Sequence, residues 1–167
     1  MLSTQNLLLK PVSDSDLDIY LEILGSDTLT KYLPKGAAYS EEEITRYASN
    51  RVAHWQHGYG SYIIYEKNNS SKKLGYVGVE QCAEPAFSDV RYAIVPGYQG
   101  KGYVFEAAHA VIEHTFQTTQ LEKIYGVALK QNLASLAIIK KLGMTTDTNT
   151  ALYGDVADLE TYSIERG

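Results

Sequence analysis

The alternation of apolar and polar positions lays out most of this chain. Asn6 to Val12 reads as a strand centred on Leu7, Leu8 and Leu9. Ser13-Asp-Ser-Asp16 supplies short polar caps ahead of Leu17, Ile19, Tyr20, Leu21 and Ile23, a helix that Gly25-Ser-Asp27 ends. Ser40-Glu-Glu-Glu43 is a capping box for a second helix running to about Gln56. His57-Gly-Tyr-Gly60 reads as a turn, Ser61 to Lys67 as a strand, and Asn68 to Lys72 as a hairpin loop. Lys73 to Cys82 and Ser88 to Val95 are the next strands. From Lys101 to Phe116, the residues Val104, Ala107, Ala108, Val111, Ile112 and Phe116 recur at helical spacing. A strand over Lys123–Leu129, a helix over Leu133–Leu142 closed by Gly143, and strands over Met144–Thr150 and Asp158–Ile164 complete the pattern. The predicted order is β-αα-β-β-β-α-β-α-β-β, with no linker, repeat or low-complexity tract. A chain of 167 residues supports one sizeable core, so a single domain over 1–167 is expected.

One junction in this pattern carries chemistry. The run Tyr92-Ala-Ile-Val-Pro-Gly-Tyr-Gln-Gly-Lys-Gly-Tyr-Val-Phe-Glu-Ala107 takes an apolar strand through Pro96-Gly97 and two further glycines into a helix. Glycines at a helix mouth leave backbone N–H groups bare, and the helix dipole adds to their attraction for an anion. The junction therefore predicts a pyrophosphate-type site. It is not a P-loop, because Val95 stands at the first glycine and Gly102 at the Ser/Thr position. It is not a dinucleotide fingerprint, because Phe105 takes the third glycine position and would obstruct close helix–strand packing.

Tyr98-Gln-Gly-Lys-Gly-Tyr-Val-Phe-Glu-Ala-Ala108 resembles motif A of the GNAT N-acetyltransferases, roughly [QR]-x-x-G-x-[GA]. Downstream, Asn132-Leu-Ala-Ser135 and Lys140-Lys-Leu-Gly-Met144 resemble that family's N-x-x-S…K-L-G-[FM] segment. Leu7-Leu-Leu-Lys-Pro11 and Gly75-Tyr-Val-Gly78 are similar to its ribosomal-protein (RimJ/RimL-like) branch, so the likeness runs over nearly the whole chain. Gly97 departs from the pattern, standing where Gln or Arg is common. The resemblance implies an α/β (mixed α+β) GNAT fold. Its central twisted, mixed, mostly antiparallel sheet would be flanked by about four helices and splayed at the cofactor site. It also implies acetyl-CoA as co-substrate.

The site residues follow from that resemblance. Amides of Gln99, Gly100, Lys101, Gly102 and Tyr103 are expected on the coenzyme's diphosphate, and main-chain groups of Ala93, Ile94 and Val95 along the pantetheine arm. Asn132 either caps its helix or contacts pantetheine. Ser135 either back-bonds within the helix or lies near the thioester sulfur, where it could donate to the departing thiolate. An alcohol is a poor acid for that purpose. Glu80, on the strand beside the cofactor strand and sharing a face with Tyr76, Gly78 and Cys82, is the candidate general base; the alternative is a surface carboxylate. His57 and Asp89 are weaker candidates, and a water chain could replace all three. Glu106 reads as a structural charge at the helix start. Tyr32, Tyr39 and Tyr59 lie in the segments where the family builds its acceptor pocket, and segments 14–57 and 150–160 are expected to choose the acceptor.

Composition narrows the partners. A net charge of −5 argues against a nucleic-acid footprint and accords with a cationic amine acceptor. Cys82 is the single cysteine, so no intramolecular disulfide and no multi-cysteine zinc site can form; it reads as a small buried hydrophobe. The 4 histidines lack metal-ligand spacing, so no metal is expected. No apolar run approaches the ~20 residues of a membrane span, and the N-terminus has no signal pattern, which points to the cytoplasm. The expected reaction is acetyl transfer to a primary amine, either a protein N-terminus or a small molecule, by direct attack in a ternary complex. The alternative is a non-catalytic CoA-binding sensor on the same fold. Monomer and homodimer both stay open.

Overall fold

The computed structural model describes residues 1–150, 152, 153 and 156–167. Eight strands form one sheet: β1 (Leu2–Ser3), β2 (Leu7–Pro11), β3 (Ser61–Glu66), β4 (Asn69–Gln81), β5 (Ser88–Ile94), β6 (Lys123–Leu129), β7 (Thr145–Thr146) and β8 (Leu159–Glu165). Four helices flank it: α1 (Leu17–Leu24), α2 (Glu41–His54), α3 (Tyr103–Thr118) and α4 (Leu133–Lys141). The sheet order is β1-β2-β3-β4-β5-β6-β8-β7, antiparallel at every step except β5–β6.

The central strands are buried on both faces, so they read as nearly continuous apolar runs. Leu7, Leu9, Ile64, Val77, Val79, Val90 and Ile94 point to one side and pack with Ala107, Val111, Leu136 and Ile139 of α3 and α4. Ile63, Tyr65 and Tyr76 point to the other and pack with Ile19, Tyr20, Ile23 and Ile44 of α1 and α2. Tyr20 stacks on Tyr76 at 5.0 Å between ring centroids.

The capping box at Ser40 forms as expected. Glu43 N–H donates to Ser40 Oγ and Ser40 N–H to Glu43 Oε1, both at 3.1 Å. Three elements differ from the sequence expectation. A short β1 pairs with Leu8 and Leu9. The β3–β4 hairpin turns tightly at Lys67-Asn68, so strand pairing resumes at Asn69 where a loop to Lys72 was expected. The strand expected over Met144–Thr150 shrinks to β7, because the Asp147 carboxylate captures Asn149 N–H at 3.3 Å and turns the chain. Part of that expected acceptor segment, 150–160, lies outside the described residues.

The feature that positions the site is the β5–β6 step. These parallel neighbours pair only at Asp89 and Tyr125, near the start of both strands. Their C-terminal halves lie unladdered, and each leads into the N-terminus of a helix, α3 or α4.

Candidate active site

The mouth of α3 is built by backbone conformation. After β5, a single 3₁₀ turn holds Tyr98 N–H on Val95 C=O at 3.1 Å and Gln99 N–H on Pro96 C=O at 3.2 Å. Gly100 and Gly102 then adopt φ of +81° and +78°, in the left-handed region that only glycine enters freely. An added Cβ at either would meet nothing within 4 Å, so conformation rather than crowding demands glycine here. Gly102 is the N-cap of α3 and offers no side chain to it, and the first helical bond is Glu106 N–H to Gly102 C=O at 3.1 Å. Among the described residues, the N–H groups of Gly100, Lys101, Gly102 and Tyr103 have no internal acceptor. Gln99 departs from expectation: its N–H is consumed in the turn, and its Nε2 donates to Ile94 C=O at 3.4 Å.

Cations gather beside this mouth. Lys101 Nζ and Lys72 Nζ each lie 5.0 Å from the centre of the Tyr98 ring. Lys72 belongs to β4 and carried no signal in sequence. Glu106 ties the helix start to the residue before β2 by accepting from Asn6 N–H at 3.2 Å and Asn6 Nδ2 at 3.1 Å, a structural role.

The main-chain groups expected along a pantetheine arm require a correction. Val95 N–H donates to Leu74 C=O at 2.8 Å, and its C=O accepts from Tyr98, so its main chain is fully used. Alternation along the antiparallel ladder, in the register Gly75 with Ile94, turns the main-chain groups of Ala93 into β4 as well. The groups that face the gap toward β6 belong to Ile94 and Tyr92. Of the three expected residues, Ile94 alone fits, and Tyr92 replaces Ala93 and Val95.

Across the gap, Asn132 caps α4: its Oδ1 accepts from Ser135 N–H at 3.2 Å. Ser135 does not back-bond to its own helix. Its Oγ pairs with Tyr92 Oη at 2.8 Å, and Tyr92 O–H also lies 3.3 Å from Ser135 C=O. Burial pushes the Tyr92 phenol upward, and the hydrogen bond to Ser135 partly opposes it. Nothing local in sequence announces a pair 43 residues apart.

Glu80 is placed otherwise than the sequence suggested. It is completely buried, not a surface carboxylate. Oε1 accepts from Arg51 at 2.7 Å and Arg91 at 3.2 Å, and Oε2 accepts from Ser61 Oγ at 3.0 Å. Burial raises its pKa, while both guanidiniums and Ser61 pull the other way. A general base must present a free lone pair to the amine; the Glu80 carboxylate is enclosed by cations and a hydroxyl, which fits a positioning role. Asp89 is likewise occupied, by Arg91 Nε at 2.9 Å and Tyr153 O–H at 2.6 Å. His57 is exposed and packs against His54. Tyr59 is a core residue whose hydroxyl pairs with Ser88 Oγ at 2.9 Å, whereas Tyr32 and Tyr39 remain accessible. Burial pushes the Cys82 thiol up to about 11, so it is no nucleophile at neutral pH. Among the described residues, no cluster of three or more His, Cys, Asp or Glu is placed to hold a metal, and no helix is long and apolar enough to cross a membrane.

Comparison with known proteins accords with this anatomy. Residues 6–145 match the acetyltransferase (GNAT) domain family. The Bacillus subtilis (strain 168) protein named N-acetyltransferase YnaD is 22% identical over 143 residues, 86% of this chain and 81% of that protein. An acetyltransferase from Agrobacterium tumefaciens str. C58 superimposes with a TM-score of 0.86 at 23% identity, covering 98% of this chain and 93% of its own. The ribosomal L7/L12 α-N-protein acetyltransferase RimL, solved with coenzyme A, superimposes with a TM-score of 0.75 at 18% identity, covering 97% and 95%. These likenesses show the fold. The family match, which spans most of the chain, shows that the protein belongs to the GNAT acetyltransferases.

Proposed function

We propose that this GNAT acetyltransferase acts as a single domain over 1–167, binding acetyl-CoA in the β5–β6 gap and passing the acetyl group directly to a primary amine. The observation that carries the reading is the conjunction of two unsatisfied backbone surfaces. One is the run of free amides at Gly100–Tyr103, which suits a diphosphate; the other is the unladdered edge of β5, the main chain of Tyr92 and the N–H of Ile94, which suits an amide-bearing arm. The distance between them along the chain is one 3₁₀ turn, so a single extended ligand can use both.

In this reading Lys101 and Lys72 add positive charge beside the diphosphate, and the Tyr92 or Ile94 amide steadies the oxyanion on the acetyl carbonyl. Asn132 holds the start of α4 in place, and its Nδ2, unused in the cap, is available to the pantetheine. Ser135 lies beside the sulfur and hydrogen-bonds the thiolate as the C–S bond breaks. Direct attack is favoured because the lone thiol, Cys82, is buried and inert. Water relays the amine's proton outward, since the Glu80 carboxylate is fully buried and paired with two guanidiniums. RimL, named as an α-N-protein acetyltransferase, has this fold. With the RimJ/RimL-like motifs, it favours a protein α-amine as acceptor, with small amines as the alternative. The cytoplasm is the matching compartment.

Thermal unfolding with acetyl-CoA, ATP and NAD tests the cofactor. Ligand at ~100 times its Kd adds about 2.7 kcal/mol, a rise of about 5–10 °C for a domain of this size. The rise is expected with acetyl-CoA alone; a rise with ATP or NAD and none with acetyl-CoA would refute the site. Free-thiol release from acetyl-CoA with a panel of a Ser-initiated peptide, spermidine and free amino acids then separates an enzyme from a CoA-binding sensor.

A further inference from the structure

We propose that Tyr92 is the proton source for the departing thiolate, delivering its proton through Ser135. The proposal rests on the acetyl-transfer reading above. A serine hydroxyl beside the sulfur is well placed but a poor acid on its own. The structure supplies what it lacks: a phenol within 2.8 Å, reaching from β5 to α4 on the α3/α4 side of the gap.

The placement is specific. Tyr92 is the residue of β5 whose main chain faces the gap and whose side chain also crosses toward α4. On β5, Arg91 is committed to Glu80 and Asp89, and Ala93 has no polar side-chain atom. The phenol, with an ordinary pKa of ~10, lies far nearer to a thiol at ~8.5 than any alcohol does. Its ordinary value already keeps it protonated across the neutral range; burial raises that value and so weakens the acid, and the hydrogen bond to Ser135 partly opposes the rise.

The step balances as follows. The amine attacks the thioester carbonyl, and the C–S bond of the tetrahedral adduct breaks with its electron pair staying on sulfur. Sulfur takes the Ser135 hydroxyl proton as Ser135 Oγ takes the Tyr92 phenolic proton. The Tyr92 phenolate recovers a proton from solvent, to which the amine has lost one. The products are the amide and free coenzyme A thiol.

The experiment compares wild type with Tyr92→Phe, Ser135→Ala and the double variant, using acetyl-CoA and the best amine of the panel above. The expected result is a fall in kcat of about 10²-fold in each single variant, with acetyl-CoA affinity by thermal shift within threefold of wild type. The double variant is expected to be no slower than the slower single, because either change breaks the same relay. The dependence of kcat on the D₂O fraction is expected to be curved in wild type and linear in Tyr92→Phe. Weakened acetyl-CoA binding with kcat unchanged, or a D₂O dependence identical in wild type and Tyr92→Phe, would overturn the relay and make Tyr92 a strut. Should Tyr92→Phe fold poorly, Ser135→Ala with Ser135→Thr reads the same relay from its other end, and a Thr variant as slow as Ala overturns it. Failure of wild type to release thiol with any amine strikes the transfer reading itself, which is distinguishable because no variant is involved.

Discussion

The starts of α2 and α3 face the same physical problem and answer it in opposite ways. Each helix opens with amides that have no partner in the preceding turn. At α2 the chain closes its own end: Ser40 and Glu43 exchange hydrogen bonds, and Lys35 Nζ sits 2.9 Å from Glu43. Its far end is sealed as well, by Arg51 on buried Glu80 and by His54 Nε2, which accepts from Gln81 N–H at 3.0 Å. At α3 the N-cap is a glycine with φ of +78°, among the described residues no side chain reaches the first amides, Lys72 and Lys101 stand beside the mouth, and the first-turn carboxylate of Glu106 is taken by Asn6. Helix α2 spends its polar groups on stability. Helix α3 leaves its first amides without an internal acceptor among the described residues.

If that contrast is right, damage at α2 lowers stability and damage at α3 lowers ligand binding. The largest effect is expected from Glu80→Ala, which strands two guanidiniums against a buried gap. It should cost about 3–5 kcal/mol of unfolding free energy in denaturant titration. A loss under about 1 kcal/mol would mean that Arg51 and Arg91 are already solvated. Next comes Gly102→Asp, which sets a carboxylate where the diphosphate belongs. It should weaken acetyl-CoA binding at least 100-fold by calorimetry, about 2.7 kcal/mol, with a melting temperature only about 2–4 °C below wild type, since a side chain at positive φ costs about 1 kcal/mol. Unchanged affinity would remove the loop from the site. Ser40→Ala should cost about 1 kcal/mol of stability and leave acetyl-CoA affinity alone, the mirror image of the glycine variant.

The smallest effect concerns pH. Gln81 N–H can only donate, so His54 Nε2 accepts, and Nδ1–H is left to donate to Tyr59 C=O at 2.9 Å. Burial lowers the His54 pKa first of all; the bond to Tyr59 opposes it, and His57 and Arg51 add to it. The depressed pKa makes the neutral ring the form that folding favours. Its contribution is present above the ordinary value of ~6.5 and is lost as pH falls through the lower folded value. The melting temperature should therefore decline on acidification below about 6.5, and His54→Gln should flatten that limb. An unchanged limb in the variant would show that another group carries the acid sensitivity.

The legible parts of the molecule are those written locally. The Ser40 box, the Gly143 helix stop, the β6 limits at Lys123 and Leu129, and the glycine mouth of α3 each depend on residues within one turn of one another. Local chemistry could not place Gln99, whose amide a 3₁₀ turn consumes, or Glu80, whose surroundings come from α2 and β5.

What the sequence by itself determined is the kind of protein: most of its element order, the glycine mouth of α3 and, through its motifs, its family. The first two follow from hydrophobic period, caps and glycine, all short-range effects, and the family from motifs that the chain resembles. Which atoms are free to work was decided only in the tertiary structure. Whether Ala93 or Tyr92 offers its main chain to the gap depends on the parity of the β4–β5 ladder, and a shift of one residue would exchange them. Whether Ser135 stands alone or beside a phenol depends on β5 and α4 meeting across a sheet that separates after Asp89. Burial and strand register are properties of the packed whole, because they are set by partners far away along the chain.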